Sequence, residues 1–218
     1  GIRTLHAAAQ RRISVVGFSQ GGMVPRWALK WWPDTRAMVD DLVGIDPSNH
    51  GTLDSLGLCL LTCAPSFWQQ RTGSRFLAAL NAGAETYAGI SYTQVYSIED
   101  EVVVPNFGPG ASSALHTGAG AIDNIAAQSI CPLHLAEHLT MGTIDPVAYG
   151  VVLDALNHPG PAQKSRIARA VCLQLLMPGV SPAAALKGEL QVAAQAGTQV
   201  ALYPHVAKEP PLASYVHG

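Results

Sequence analysis

The sequence predicts an α/β layer architecture built on a parallel sheet. Short β-branched or alternating segments recur at 13–16, 38–45, 92–97 and 121–128, with a helical pattern following the first of them. Strands that alternate with helices need crossovers, and crossovers set neighbouring strands parallel. The length of 218 residues suits one globular unit, and at 48% hydrophobic it can bury a sizeable core.

Taken in order, residues 2–12 read as a helix, and Ile13, Ser14, Val15 and Val16 form a buried strand. A turn carrying Gly17, Gly21 and Gly22 leads into a helix over 23–32, which Pro33 stops. A second strand over 38–45 ends at Asp46-Pro47. The stretch 53–88 is helical or irregular and includes Phe67 and Trp68. A third strand over 92–97 runs into Ile98-Glu99-Asp100-Glu101, residues 106–120 are a Gly-, Ser- and Ala-rich loop, and 121–128 is the fourth strand. Beyond 139 the chain is expected to be mostly helical, with helices at 146–157, 163–176 and 182–196, inside one domain spanning 1–218.

Composition narrows the classes of function. Charged residues make up 13%, and Lys plus Arg (13) against Asp plus Glu (15) gives a net charge of −2. Such a chain is too apolar for disorder and has no basic excess for nucleic acid. The purest apolar runs, 58–61 and 102–104, are far shorter than the ~18 residues of a membrane span. Cys59 and Cys63 are four apart on an expected helix, where bridging geometry is rare, and read as buried small apolar groups. Cys131 and Cys172 are left available to pair.

The chemistry centres on Gly17-Phe18-Ser19-Gln20-Gly21, a G-x-S-x-G pattern between a β-branched run and an apolar helix. A serine on a tight strand-to-helix turn has strained backbone angles, so its neighbours two before and two after are expected to be small. Its hydroxyl then projects at a helix N-terminus, where free N–H groups favour negative charge, and the N–H of Gln20 can face a developing oxyanion.

Such a serine needs a base, and the base an orienting carboxylate, in the chain order Ser, acid, His. Asp100 and Asp46 each follow a strand and would lie on the same sheet edge as Ser19, while Glu99, Glu101 and Asp123 are further acids. His134 and His138 follow the fourth strand and are the candidate bases. Spaced four apart, they would also suit a metal on a helix, but no other ligand cluster or phosphate loop accompanies them, and no metal or cofactor is expected. His6 and His50 come too early, His116 lies in the loop, and His158, His205 and His217 read as surface groups.

Several segments resemble the Candida antarctica lipase B-like lipases. They are Val16-Gly17-Phe18-Ser19-Gln20-Gly21-Gly22-Met23-Val24, Ala64-Pro65-Ser66-Phe67-Trp68-Gln69-Gln70-Arg71-Thr72-Gly73-Ser74, Tyr96-Ser97-Ile98-Glu99-Asp100-Glu101-Val102-Val103-Val104-Pro105 and Cys131-Pro132-Leu133-His134-Leu135-Ala136-Glu137-His138. Glu209-Pro210-Pro211-Leu212 with Tyr215 resembles the family's C-terminal region. The resemblance implies an α/β-hydrolase fold and a secreted serine hydrolase that cleaves carboxylic or lipid esters through Ser19, Asp100 and His138. It also implies that Gln70 borders the acyl pocket, that Val102 and Val103 line the channel and that Cys131 pairs with Cys172. The expected partner is an ester substrate, met at a lipid–water interface by a monomer.

The same chemistry serves thioesterases, amidases and acyltransferases, and a non-catalytic binding domain would keep the fold but break the triad. Leu53 to Leu61 with Phe67 and Trp68 would either border a lipid-facing mouth or pack in the core. There are departures from the pattern. Only 18 residues precede Ser19, which implies that the first strands and a second oxyanion donor are missing and that the first strand has an unpaired edge. Ser48 stands where the family carries an aspartate, and a late cysteine is replaced near Lys208.

Overall fold

The computed structural model describes residues 1–216, with no side-chain description for Gln199; His217 lies outside the described residues. In chain order the elements are α1 (Ile2–Ala9), β1 (Ile13–Phe18), α2 (Gln20–Trp31), β2 (Val39–Ile45), α3 (Asp54–Leu58), α4 (Pro65–Gln70), α5 (Arg75–Asn81), β3 (Ser91–Tyr96), β4 (Ala121–Ala126), α6 (Ala127–Ile130), α7 (His138–Thr143), α8 (Pro146–Asn157) and α9 (Pro182–Leu202). The strands form one sheet in the order β1-β2-β3-β4, every pair parallel, as the alternation of strands and helices predicts.

The register explains how the sheet is covered. Val15, Leu42, Tyr92 and Ile122 lie side by side across the strands. They share a cluster with Leu29 of α2, and with Val39, Ile90 and Leu115. Because side chains alternate, Val43, Val95 and Ile125 point to the other face, where Val147, Val151 and Ala155 of α8 cover them with Met141 of α7. A helix on each face leaves the carboxyl ends of the strands open at one edge, where such folds place their sites.

Local chemistry sets the helix ends near that edge. The Asp145 side chain accepts from the Ala148 N–H and caps α8, and Pro146 takes the first position, which needs no N–H donor. Glu137 caps α7 by accepting from the N–H groups of Leu139 and Thr140. The apolar stretch His138–Asn157, of mean hydropathy 1.2, is thus two capped helices, with α8 set on the sheet.

Some expectations are corrected. Residues 163–176 are not an α-helix but two 3-10 turns, Lys164–Arg166 and Arg169–Leu173. Tertiary ties override helix propensity there: Arg166 pairs with Asp154 at 2.6 Å, and Cys172 is bonded to Cys131. Cys59 and Cys63 are not free apolar groups but a disulfide, with Cα atoms 5.0 Å apart. The expected helix stops at Leu58, so Cys63 escapes helical geometry and can turn back. Cys131 and Cys172 are joined as the resemblance implies.

Candidate active site

The turn between β1 and α2 builds the site. Ser19 has φ 54° and ψ −126°, a strained conformation for a non-glycine residue. Its N–H donates to the Ile45 carbonyl at 2.8 Å, and its own carbonyl accepts from Gly22 N–H at 3.0 Å, so the backbone is fixed on both sides. A Cβ at Gly17 would lie 2.1 Å from the Gly21 oxygen, whereas a Cβ at Gly21 would meet nothing within 4 Å. A Cβ at Gly22 would sit 2.9 Å from Pro47 Cβ and 3.0 Å from Gly44 Cα. The expected crowding two residues after the serine therefore falls one residue later, because α2 turns its second residue away from the sheet and its third into β2.

The chain ends of β3 and β4 deliver the partners. Ser19 Oγ lies 2.9 Å from His138 Nε2, and His138 Nδ1 lies 2.8 Å from Asp100 Oδ2. With Nδ1–H donating to the carboxylate, Nε2 is left to accept from the serine hydroxyl. Asp100 Oδ1 accepts from the N–H groups of Val102 and Val103, both at 2.8 Å. Glu101 Oε2 accepts from the His138 N–H at 3.1 Å, so two adjacent acids hold one histidine by ring and by backbone. The Phe18 ring lies 4.7 Å from the His138 ring. A Cβ at Gly142 would come within 2.4 Å of that phenyl ring, so a glycine there lets Phe18 reach the imidazole.

Gln128, which sequence reasoning did not single out, joins the acid loop to the histidine loop. Its Nε2 donates to Ser97 Oγ at 3.0 Å and to the His134 carbonyl at 3.1 Å, while its Oε1 accepts from the Ile98 N–H at 3.1 Å. A glutamine in the short helix α6 gives no local signal of this; only its reach to two loops reveals it.

The other candidates separate. His134 turns away from Ser19 and pairs with Asp145 at 2.5 Å. His50 pairs with Glu85 at 2.7 Å on a different network. Glu99 is exposed, and Asp123 sits within β4. Asp46 is fully buried at the end of β2, with one carboxyl oxygen, one Asp100 oxygen and one His138 nitrogen all within 4.8 Å of one another. These three could in principle group around a metal ion. Both His138 nitrogens, however, already have partners, Asp100 at one and Ser19 at the other.

The expected pocket residues have contacts of their own. Gln70 accepts from the Ser48 hydroxyl at 2.9 Å. Val102 is 40% exposed, while Val103 is buried. Leu60 and Leu61 are 81% and 84% exposed in the loop closed by the Cys59–Cys63 bond, so they do not pack in the core. Trp68 donates from its indole to the Val206 carbonyl at 2.9 Å.

The chain is similar to known lipases in sequence and in fold. The family model described as Lipase (class 2) matches residues 2–124. Lipase B of Pseudozyma antarctica is 38% identical over 143 residues, covering 63% of this chain and 40% of that protein. The crystal structure of Aspergillus fumigatus lipase B superposes with a TM-score of 0.91 at 35% identity, covering 99% of this chain and 54% of that one. The chain thus spans about half or less of the length of these relatives.

Proposed function

The chain belongs to the class 2 lipase family and has the α/β-hydrolase fold, and on that premise we propose that it hydrolyses carboxylic esters of lipids with Ser19 as nucleophile. The observation that carries the reading is the continuous chain of contacts from Ser19 Oγ to His138 Nε2 (2.9 Å) and from His138 Nδ1 to Asp100 Oδ2 (2.8 Å).

His138 takes the Ser19 proton as the hydroxyl oxygen attacks the ester carbonyl. Asp100 holds the Nδ1–H tautomer and stabilises the imidazolium. The oxyanion forms beside the first turn of α2, where N–H groups lack intrahelical partners, and the N–H of Gln20 is its donor. His138 then protonates the departing alcohol, and water, deprotonated by His138, hydrolyses the acyl-enzyme.

Gln70, Val102 and Val103 border the substrate. Supporting this, Val102 and Val103 follow Asp100 two and three residues on, and their N–H groups hold its carboxylate. The exposed Leu60 and Leu61 suit contact with a lipid–water interface. Two disulfides fit an oxidising compartment, and secretion is the localisation proposed.

A fluorophosphonate probe tests the nucleophile, with the modified residue mapped by mass spectrometry. Labelling at Ser19, lost in Ser19→Ala, is the expected result. Labelling elsewhere, or ester turnover retained by Ser19→Ala, would overturn the assignment.

A further inference from the structure

Asp46 stands behind the acid of the proposed relay. It directly follows β2 with φ 41°, a left-handed conformation that Asp and Asn tolerate better than most residues. Its Oδ1 accepts from the Ser97 N–H at 2.8 Å and from Asn106 Nδ2 at 3.3 Å. Asn106 Nδ2 also reaches Asp100 Oδ2 at 3.5 Å. Asp46 Oδ2 is buried with no donor offered to it, although Asp46 lies in the same cluster as Asp100 and His138. A buried carboxylate oxygen without a donor, next to a second carboxylate, is an unfavourable arrangement. A proton on Oδ2 removes the conflict, because the O–H becomes the donor that the Asp100 carboxylate can accept.

We infer that Asp46 is a positioning residue held as a neutral carboxylic acid, whose Oδ2–H donates to Asp100 and fixes the carboxylate that orients His138. The inference rests on the hydrolase reading above for its catalytic consequence, whereas the protonation state rests on the unpartnered Oδ2 and the neighbouring Asp100 carboxylate. The carboxylates around Asp46 point the same way, and the imidazole that faces it is held by Asp100. Asp100 faces it from the loop after β3, Asp145 from the start of α8, where it is paired with His134, and His138 from the start of α7. Burial, followed by the charge of Asp100, raises the Asp46 carboxyl well above the usual carboxylate range.

The arrangement has a chemical use. A neutral donor orients Asp100 without adding a second negative charge beside the imidazole. An ionised Asp46 would instead strengthen the hold on the imidazolium and hinder release of the proton to the leaving group. In ketosteroid isomerase, by comparison, a protonated aspartic acid likewise serves as a donor in an apolar site.

Two measurements on the intact protein test this. The first is difference infrared spectroscopy at neutral pH. The C=O stretch of a protonated carboxylic acid is expected in the wild type and absent in Asp46→Asn, a substitution that suits the positive φ. No such band, or one unchanged in Asp46→Asn, overturns the inference whether or not the protein turns over esters. The second is the pH–rate profile for a soluble ester. Asp46→Asn keeps a neutral donor, so kcat/KM stays within about threefold and the acid limb does not move, whereas Asp46→Ala loses about tenfold in kcat with KM little changed. An acid limb displaced downward by about one pH unit in Asp46→Asn would show that an ionised carboxylate had been removed, and would refute the inference. Absence of ester turnover in the wild type would refute the hydrolase reading and leave the infrared result standing.

Discussion

His134 Nε2 lies 2.5 Å from Asp145 Oδ2, which ties the loop leading to His138 to the cap of α8. The hydrogen bond to Asp145 raises the His134 pKa above its ordinary value of 6.5, burial opposing it. A raised folded pKa means that the stabilisation is fully present below about pH 6.5 and is lost as pH rises through the folded value. The expected outcome is a melting temperature that falls as pH rises above about 6.5, with that step missing in His134→Gln. Calorimetry across pH 5 to 9 checks it; an identical pH dependence in the variant would refute the linkage.

Glu85 gives the opposite sign. Burial raises its carboxyl, but hydrogen bonds from His50 and the His116 N–H, with the charges of His50 and Arg26, bring it down to about 2. Its Oε2 also accepts from the Thr117 N–H and hydroxyl, so one carboxylate holds the loop at His116 and Thr117 together with His50. Stability from a depressed carboxyl is present above about pH 4.5 and is lost as pH falls toward 2. The difference in unfolding free energy between pH 7 and pH 2.5 should shrink in Glu85→Gln by about 2–3 kcal/mol, measured by urea titration.

The glycines of the elbow should behave unequally. Gly17→Ala drives a Cβ to 2.1 Å from the Gly21 oxygen, against backbone that cannot yield, and is expected to cost about 3 kcal/mol or more. Gly21→Ala meets open space on a helix and should keep the fold. Thermal unfolding of the pair decides this; equal losses would mean that the crowding is placed wrongly.

Gln128 clasps two loops through three hydrogen bonds, so Gln128→Ala should lower kcat by about ten- to a hundredfold with KM nearly unchanged. Steady-state kinetics on a soluble ester reads the split. A rise in KM alone would place Gln128 on substrate rather than on the loops.

The two disulfides should also differ. Cys131–Cys172 closes 41 residues and Cys59–Cys63 only 4, so on the chain-entropy account their removal costs about 4 and about 2 kcal/mol respectively. Paired Cys→Ser variants compared by denaturant unfolding test the ranking.

What the sequence determined by itself was local or periodic. β-branched runs before a glycine turn mark β1 and the elbow, and alternating segments mark the parallel strands, because strand and turn preferences act between near neighbours. The capped helix 146–157 was readable from Asp145-Pro146 for the same reason. The residues alone left Asp46 and Asp100, and His134 and His138, as competing pairs; resemblance to the lipases favoured Asp100 and His138. Only the tertiary structure turned each remaining choice into a contact: Asp100 on the imidazole with Asp46 behind it, and His134 on Asp145. The same holds for the Cys59–Cys63 bond, the 3-10 turns of 163–176 and the Gln128 clasp. Each depends on where a helix stops or on which distant strand end lies alongside. The distant pairings are consequences of packing α2 and α8 on opposite faces of one sheet, and no window of neighbouring residues contains them, whereas the Cys59–Cys63 bond spans four residues and needs only the helix to stop at Leu58.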